Sequence, residues 1–400
     1  MRENSNHDND NVISFPENEN SIEQRRKARR AENEKKSAAA KKMISLAVLA
    51  LLLLGMLIFI LNDTTFEATN QVNLSTIALS GASNYDYASY HEGYIIAKDG
   101  KISCYNTLQK LQWEIKGSKT QPTVKTNGQY CLVYYNDDRL AVVTNGKNTN
   151  HIKTDGNVTY GYVNKNGYCV LFTLESGLKN KISVFNKKGE EIYFRQNADT
   201  HIPWAILSDD NTTLLTIELN PSKNRIPSTV HLFDINESNK EISSFPIKDS
   251  TIAGCFFYNK TNFVVVQDDK MESYSVKGKK NWSVDYNKKT LSKFSYNNDG
   301  IICLLFNKDA SAGSSSEVNF YKTSGGKISA YTSDKHIYDA DMCEKTAVLR
   351  LDRQFLTVNS KSKLISSTDV SYDIKDSVVM GNKKCVFVLT TSEDAVLVEF

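Results

Sequence analysis

Short apolar runs separated by polar turns fill the chain after residue 62. The stretch 164–194, NKNGYCVLFTLESGLKNKISVFNKKGEEIYF, contains three such runs, and a Lys-Lys-Gly turn separates the last two. Comparable runs end at an aromatic residue or valine about every 42 residues. These run ends are Tyr105, Val143, Phe185, Phe233, Tyr274, Tyr321, Val358 and Phe400. Four short strands in each period of about 42 residues predict an all-β propeller.

Eight run ends predict eight blades over residues 85–400. Asn127-Gly128, Asn166-Gly167 and Asp299-Gly300 separate successive apolar runs, and these dipeptides are typical of tight hairpin turns. A seven-bladed ring is the alternative, because the second and seventh repeats have the weakest patterns. No long amphipathic helix is evident after residue 62, which argues against a parallel α/β fold.

The last repeat ends at Phe400, on its third strand. An additional apolar run, QVNLSTIALS at 71–80, lies in the segment 63–84 that precedes the first repeat. We therefore expect residues 71–80 to supply the missing strand, which would close the ring and cover an exposed sheet edge.

The residues 43–61, MISLAVLALLLLGMLIFIL, form the longest apolar run. A helix of this length rises about 28 Å, close to the hydrocarbon thickness of a bilayer, so we predict a transmembrane helix over 43–62. A cleaved signal peptide is the alternative. The length of the run and the absence of an Ala-x-Ala pattern after it favour an uncleaved anchor.

Charge is concentrated before this run. Residues 21–42 contain nine Lys or Arg and three Glu, whereas residues 1–20 contain one Arg and five acids. The positive flank predicts a cytoplasmic tail over 1–42, disordered over 1–20 and basic near the membrane, with the C-terminal domain outside the cell. The net charge of +3 leaves little basic excess for the propeller, so we expect no nucleic-acid partner.

The segments QPTVKTNGQYCLVYY (121–135) and 164–194 resemble matching blades of a Gram-positive family called domain of unknown function 5711. The resemblance extends over the apolar run, the juxtamembrane segment and all repeats. It implies a single-span membrane protein with an external propeller related to quinoprotein-like and WD-type propellers. It supplies no catalytic residues.

Seven cysteines are spread over the repeats. Cys131, Cys169, Cys303 and Cys385 occupy similar places in second strands, on different blades, where a disulfide would require Cα atoms within about 7 Å. No CxxC pair supports a zinc site. We therefore interpret the cysteines as small buried side chains.

His201 and His336 occupy equivalent positions in HIPWA and HIYDA, where each enters an innermost strand near the channel mouth. They are candidate ligand contacts, and Trp204 is a candidate stacking platform for a sugar or quinone. The alternative is that the histidines are polar strand starts and that Trp204 packs in the core. We predict no catalytic residue, metal or cofactor, because no nucleophile elbow, P-loop or HExxH motif is present.

The expected function is a membrane-anchored scaffold for protein interaction or assembly. Recognition of cell-wall glycan or another small ligand is the alternative, and a quinone-dependent enzyme is a third hypothesis suggested by the fold. Three long polar loops, at 175–180, 220–228 and 308–316, should lie on one face with His201 and His336 and form the partner surface.

The anchor hypothesis predicts a protease-accessible domain outside the cell. Protease added to intact, wall-stripped cells should release most of residues 62–400 and spare the segment before Met43. Immunoblotting with tags at both ends measures this result. A soluble secreted form beginning near residue 63 would contradict the anchor.

Overall fold

The structure is a computed structural model of the full chain. It describes residues 26–32, 35–36, 41–49, 75–79, 84–175, 180–197, 200–219, 227–237, 240–247, 250–308, 315–381, 385–392 and 394–400. The chain divides into two compact units, Met1–Thr65 and Phe66–Phe400.

The first unit is helical wherever it is described, over residues 26–32, 35–36 and 41–49. The predicted tail over 1–20 and the greater part of the predicted span, residues 50–62, lie outside the described residues. No helix in the described segments combines the length and the apolar character needed to cross a membrane.

The second unit contains eight four-stranded antiparallel sheets among the described residues, and the alternative of seven blades is wrong. The strands of sheets 1 to 4 are β2 (Tyr85–Tyr90), β3 (Gly93–Lys98), β4 (Lys101–Tyr105), β5 (Leu111–Lys116); β6 (Pro122–Asn127), β7 (Tyr130–Tyr135), β8 (Leu140–Thr144), β9 (Thr149–Lys153); β10 (Asn157–Val163), β11 (Cys169–Leu174), β12 (Asn180–Phe185), β13 (Glu191–Asn197); β14 (His201–Leu207), β15 (Thr213–Leu219), β16 (Ser228–Asp234) and β17 (Glu241–Ile247).

The other four sheets repeat this order. Their strands are β18 (Ile252–Phe257), β19 (Asn262–Gln267), β20 (Lys270–Ser275), β21 (Lys280–Asp285); β22 (Leu291–Tyr296), β23 (Ile301–Asn307), β24 (Ser316–Lys322), β25 (Lys327–Ser333); β26 (Asp339–Cys343), β27 (Thr346–Arg350), β28 (Gln354–Asn359), β29 (Leu364–Asp369); β30 (Ile374–Val379), β31 (Cys385–Thr390), β32 (Asp394–Glu399) and β1 (Ser75–Ala78).

The position of a strand within its sheet matches the hydrophobic pattern of its sequence. Second strands such as β11, CVLFTL, are nearly continuous buried runs, because both of their faces contact neighbouring sheets. Fourth strands such as β5, LQWEIK, alternate between exposed and half-buried residues, as expected at the outer edge. First strands of neighbouring sheets contact one another, so they are the innermost strands.

The eighth sheet is completed from the N-terminal side of the repeats. Strand β1 pairs antiparallel with β32, and Ser75 lies opposite Leu397. The ring-closing strand expected within 71–80 is therefore present over Ser75–Ala78. Leu79, directly after β1, is buried in the core between sheets 8 and 1.

The core is distributed around the ring. Each of eight hydrophobic clusters in the described chain joins two neighbouring sheets, and together they cover all eight junctions. At the closing junction, Phe387 of β31 is fully buried, with its ring centroid 4.7 Å from that of Tyr87 and 5.2 Å from that of Tyr94.

The cysteines behave as predicted for filler residues. All seven are free, and all except the half-buried Cys255 are buried. Burial raises the pKa of the Cys303 and Cys385 thiols to about 12, which keeps them protonated and unreactive at neutral pH.

Deletion of residues 71–80 tests ring closure. The deletion removes β1 and Leu79, so the edge of β32 becomes unpaired and the closing cluster is opened. We expect a lower melting temperature and aggregation, measured by light scattering on the detergent-solubilised chain. Deletion of residues 1–20 serves as the control and should change neither property. Equal melting of both variants would show that the ring closes without β1.

Candidate functional site

A cavity of 570 Å³ lies where the innermost strands end. Its lining comes from the last residues of the first strands and from the turns that follow, so it is the mouth of the central channel. We call it the channel-mouth site. All eight sheets contribute, and representative lining residues in ring order are Tyr90, Asn127, Tyr162, Asp209, Phe257, Tyr296, Cys343 and Met380.

Local turn chemistry shapes this mouth. In the turn after β10, the Asn164 side-chain oxygen accepts hydrogen bonds from the backbone N–H groups of Asn166 and Tyr168, each at 3.0 Å. In the turn after β22, the Asn297 oxygen accepts from Asp299 at 3.1 Å and Ile301 at 3.0 Å. Asparagine at the start of a turn favours this geometry, because its short side chain replaces a backbone acceptor.

Hydrogen bonds between sheets 3 and 4 lock their turns together. The fully buried Asn164 donates from Nδ2 to Asn211 Oδ1 at 2.6 Å and to the Ser208 carbonyl at 3.2 Å. Lys165 Nζ forms an ion pair of 2.6 Å with Asp209. The Asn164 side-chain oxygen accepts hydrogen bonds within its own turn, whereas its amide nitrogen donates to the turn of sheet 4. Asn164 therefore fixes the positions of both turns.

Other junctions have comparable links. The Tyr90 hydroxyl donates to the Gln129 carbonyl at 2.7 Å, and the Gly381 N–H donates to the His91 carbonyl at 3.1 Å. Asn297 Nδ2 donates to the carbonyl of Glu344. The mouth is therefore a preformed opening whose rim is tied by hydrogen bonds at these four junctions.

Aromatic rings form one part of the lining. Tyr162, Phe257 and Tyr296 come from sheets 3, 5 and 6. Tyr296 stacks on Phe256 with ring centroids 3.8 Å apart and still keeps 42% of its surface exposed, so its ring is accessible from the channel. Burial inside the propeller raises the pKa of the Tyr296 hydroxyl to about 12. The phenol is therefore a neutral hydrogen-bond donor at physiological pH.

Carboxylates occur at the mouth and on the innermost strand β26. The mouth is lined by Asp209, Asp299 and Glu344. In the middle of β26, burial raises the pKa of Asp341, and the neighbouring Asp339 carboxylate raises it further, whereas the Lys293 ammonium, 3.4 Å from Asp341, opposes the shift.

Polar groups of the innermost strands also link sheet 1 to both of its neighbours. Tyr87 donates from its hydroxyl to Asp376 at 2.8 Å, which joins sheet 1 to sheet 8. Asp86 accepts the Val124 N–H at 2.7 Å, and burial raises the pKa of this carboxyl despite that bond. These groups have protein partners, so they act first as links between sheets.

The three residues predicted as ligand contacts are not brought together by any contact found in the described structure. His201 is exposed at the start of β14, roughly 20 Å from the end of that strand at the channel-mouth site. Trp204 packs in the core between sheets 4 and 5, as its structural alternative proposed.

His336 precedes β26 and lines a separate cavity of 460 Å³. Its ring lies edge-on to that of Tyr338 with centroids 4.6 Å apart, and its Nε2 is 3.5 Å from Asn307 Nδ2. The loop residues expected to form a partner surface beside it, 176–179, 220–226 and 309–314, lie outside the described residues. That surface stays a prediction.

The described residues contain no group of three or more His, Cys, Asp or Glu side chains able to hold a metal ion. The channel-mouth site instead offers amides, carboxylates, backbone carbonyls and aromatic rings. The sequence did not predict the channel-mouth site. Asparagine in the turns between first and second strands, as at Asn127, Asn164 and Asn297, is the signal that could have located it.

Substitution of Asn164 tests whether its links fix the mouth. Asn164→Ala removes two hydrogen bonds to sheet 4 and takes away the side-chain acceptor of the Asn166 and Tyr168 N–H groups, and we expect a loss of about 2–4 kcal/mol in the free energy of unfolding. Denaturant titration measures this loss. Asn298→Ala, at an exposed position of the same rim, is the control and should cost less than about 0.5 kcal/mol. Equal losses would show that the Asn164 bonds contribute nothing specific.

Known structures share the architecture. BamB from Moraxella catarrhalis aligns with a TM-score of 0.51 and 11% identity over 82% of this chain and 100% of that one. The C-terminal WD40 domain of Sif2 aligns with a TM-score of 0.57 and 13% identity over 82% and 98%, respectively. A structure described as the eukaryotic initiation factor aligns with a TM-score of 0.52 and 10% identity over 80% and 85%. At these identities the similarity shows the fold alone.

A search of curated proteins found no match to the chain. The sequence pattern of one family, described as a family of unknown function, matches residues 63–396, which include every described strand except the last three residues of β32. The chain therefore belongs to the family of unknown function DUF5711.

Proposed function

We propose that this protein is a membrane-anchored propeller that acts outside the cell as a scaffold for protein interaction, and that the partner binds at the channel-mouth site. One observation carries the proposal: a single cavity receives residues from all eight sheets and has a rim tied by hydrogen bonds. Binding sites are commonly concave and preformed on a rigid scaffold.

The chemistry of the lining supports recognition. Asn127 and Asn298 supply amides, and Tyr162 and Tyr296 supply rings and hydroxyls. Such groups bind a partner through hydrogen bonds and stacking, and a preformed rim reduces the entropy lost on binding. A protruding loop or side chain of a partner matches the concave shape of the mouth.

The anchor is part of the proposal. The apolar run 43–61 has the length of a membrane span, and it follows a basic segment that favours a cytoplasmic N-terminus. On the helix over 41–49, Met43, Ile44 and Leu46 expose 76%, 63% and 72% of their surfaces. Contiguous exposed apolar side chains of this kind are suited to lipid.

A second candidate is recognition of cell-wall glycan at the cavity beside His336. Tyr338 exposes 51% of its surface there, and the lining also contains Gln354, Asp352 and Asp369. An exposed aromatic ring flanked by amide and carboxylate groups can stack on a sugar and bind its hydroxyls.

Site-specific photocrosslinking in living cells tests the two locations. Benzoylphenylalanine in place of the exposed Asn298 should yield a protein adduct, because this position lies in the channel-mouth site. The same probe in place of Leu108, which is 82% exposed on a peripheral turn, is the control and should yield none. Gel mobility and mass spectrometry measure the adducts.

The probe in place of Tyr338 distinguishes the second candidate. An adduct formed only at Tyr338, and sensitive to a wall-degrading glycosidase, would contradict the channel-mouth proposal and favour glycan recognition. Equal protein adducts at Asn298 and Leu108 would also contradict it, since they would show contact without selectivity.

A further inference from the structure

We propose that the outer edge of sheet 3 is a second binding site, which takes an extended segment of a protein partner as a fifth strand. The segment carries apolar and basic side chains. This proposal goes beyond the channel-mouth site, because the two cavities share no lining residue. It combines an open strand edge, an exposed apolar pair and a local excess of negative charge.

Strand β13 offers an open edge with a groove along it. It is the terminal strand of sheet 3 in the described structure, so the backbone groups on its outer side have no ladder partner there. Six consecutive residues, 191–196, line a cavity of 670 Å³ together with Ile235 and Asn236 of the turn after β16. Such a groove admits an extended chain, which adds to the sheet through main-chain hydrogen bonds. The corresponding strand of sheet 4, β17, contains Pro246, which has no N–H group to donate.

Two exposed apolar side chains lie on this strand. Ile192 and Phe194 expose 42% and 53% of their surfaces. Tyr193 and Arg195 pack toward sheet 4 instead. Tyr193 is buried in the cluster between sheets 3 and 4, and Arg195 Cζ lies 4.1 Å from the centroid of the Phe233 ring. The charge of Arg195 therefore does not protect the exposed face of the edge, and an added strand can cover Ile192 and Phe194.

Negative charge is in excess next to Phe194. The Lys181 ammonium lies 5.4 Å from the centroid of the Phe194 ring. Three carboxylates surround that ammonium, namely Asp155 at 3.0 Å, Glu175 at 3.6 Å and Glu191 at 3.7 Å. In the described chain each of the three has its ionic contact with this one lysine, so three negative charges meet one positive charge. A lysine or arginine of the partner segment has the complementary charge.

The excess charge is accessible from solvent. Asp155 exposes 80% and Glu191 35% of its side chain, whereas Lys181 exposes only 11%. The ammonium is enclosed by its partners and by the Phe194 ring, so a partner meets mainly carboxylate at this surface. An acidic segment would be repelled, and a purely apolar segment would leave the carboxylates unmatched.

A synthetic strand tests the proposal with the full-length protein in nanodiscs. The probe is a fluorescent heptapeptide, lysine–threonine–valine–threonine–valine–threonine–lysine, which presents both valines and both lysines on one face when it is extended. Fluorescence anisotropy measures its binding. We expect the analogue with glutamate in place of both lysines to bind at least about ten-fold more weakly, because it meets charges of its own sign.

N-methylation of the probe distinguishes strand addition from other modes of binding. Alternate amides of an extended chain face opposite edges, so only one of the two sets can bond to β13. Methylation of that set should weaken binding at least about ten-fold, because the main-chain hydrogen bonds are lost. Methylation of the other set should leave the affinity nearly unchanged.

Matched variants locate the site on the protein. Ile192→Lys with Phe194→Lys places two lysines on the edge and should abolish most of the binding. The control, Leu364→Lys with Ile365→Lys, makes the same change in charge on β29, the outer strand of sheet 7, where the two residues expose 45% and 46% of their surfaces. It should retain the affinity of the natural chain. Melting temperatures establish that both variants are folded.

The contribution of charge is tested separately. Asp155→Asn with Glu191→Gln removes two of the three carboxylates and should weaken binding of the lysine peptide about three- to ten-fold. Asp99→Asn with Asp269→Asn is the control, because it makes the same change in net charge at exposed turns of sheets 1 and 5. Binding to this control should be unchanged.

Four results would overturn the proposal: no binding of the lysine peptide, equal binding of the lysine and glutamate peptides, equal effects of the two methylated sets, or equal losses in the β13 and β29 variants. A dimer of the natural chain that becomes a monomer when β13 is substituted would also overturn it, because a second copy of the chain would then occupy the edge. Photocrosslinking at position 298 does not involve β13, so the proposed function is tested independently of these results.

Discussion

Burial of apolar side chains between neighbouring sheets is the interaction on which the rest of the molecule depends. A single four-stranded sheet cannot cover both of its apolar faces, and each of the eight clusters covers the facing surfaces of one pair. A fully buried residue such as Phe387 or Leu171 contributes about 1.5–3 kcal/mol through removal of apolar surface from water. The eighth junction requires β1 and Leu79, so closure depends on residues remote in sequence from the last repeat.

The channel-mouth site is a consequence of this arrangement. Apolar contacts between neighbouring sheets hold the sheets around the central channel. The turns after the first strands therefore converge where the channel opens. Polar bonds such as those of Asn164 then set the positions of adjacent turns. The apolar layers supply stability and the polar rim supplies a fixed shape, which is the division of roles expected of a binding scaffold.

The architecture could be predicted from the sequence because it depends on local patterns, namely short apolar runs and the turns between them. Third strands with an aromatic residue at or near their ends, such as Phe185 and Tyr321, recur at blade spacing, and the additional apolar run 71–80 indicated the closing strand that is found over Ser75–Ala78. The location of the cavity could not be predicted in the same way. His201 and His336 are equivalent in sequence, yet their strand starts lie at the far end from the turns that line the mouth. The bond from Asn164 to Asn211 joins residues 47 positions apart in different sheets, and its existence depends on their radial packing.

Closure of the ring keeps the mouth rigid. Hydrogen exchange of three turn amides in the full-length protein tests this claim most directly: Tyr168, Thr213 and Ile301, whose N–H groups donate to Asn164, Ser208 and Asn297. We predict that these amides exchange only with the opening free energy of buried strands such as β11. Exchange near the rate of an unstructured peptide, while β11 stays protected, would show a mobile mouth and contradict a preformed site.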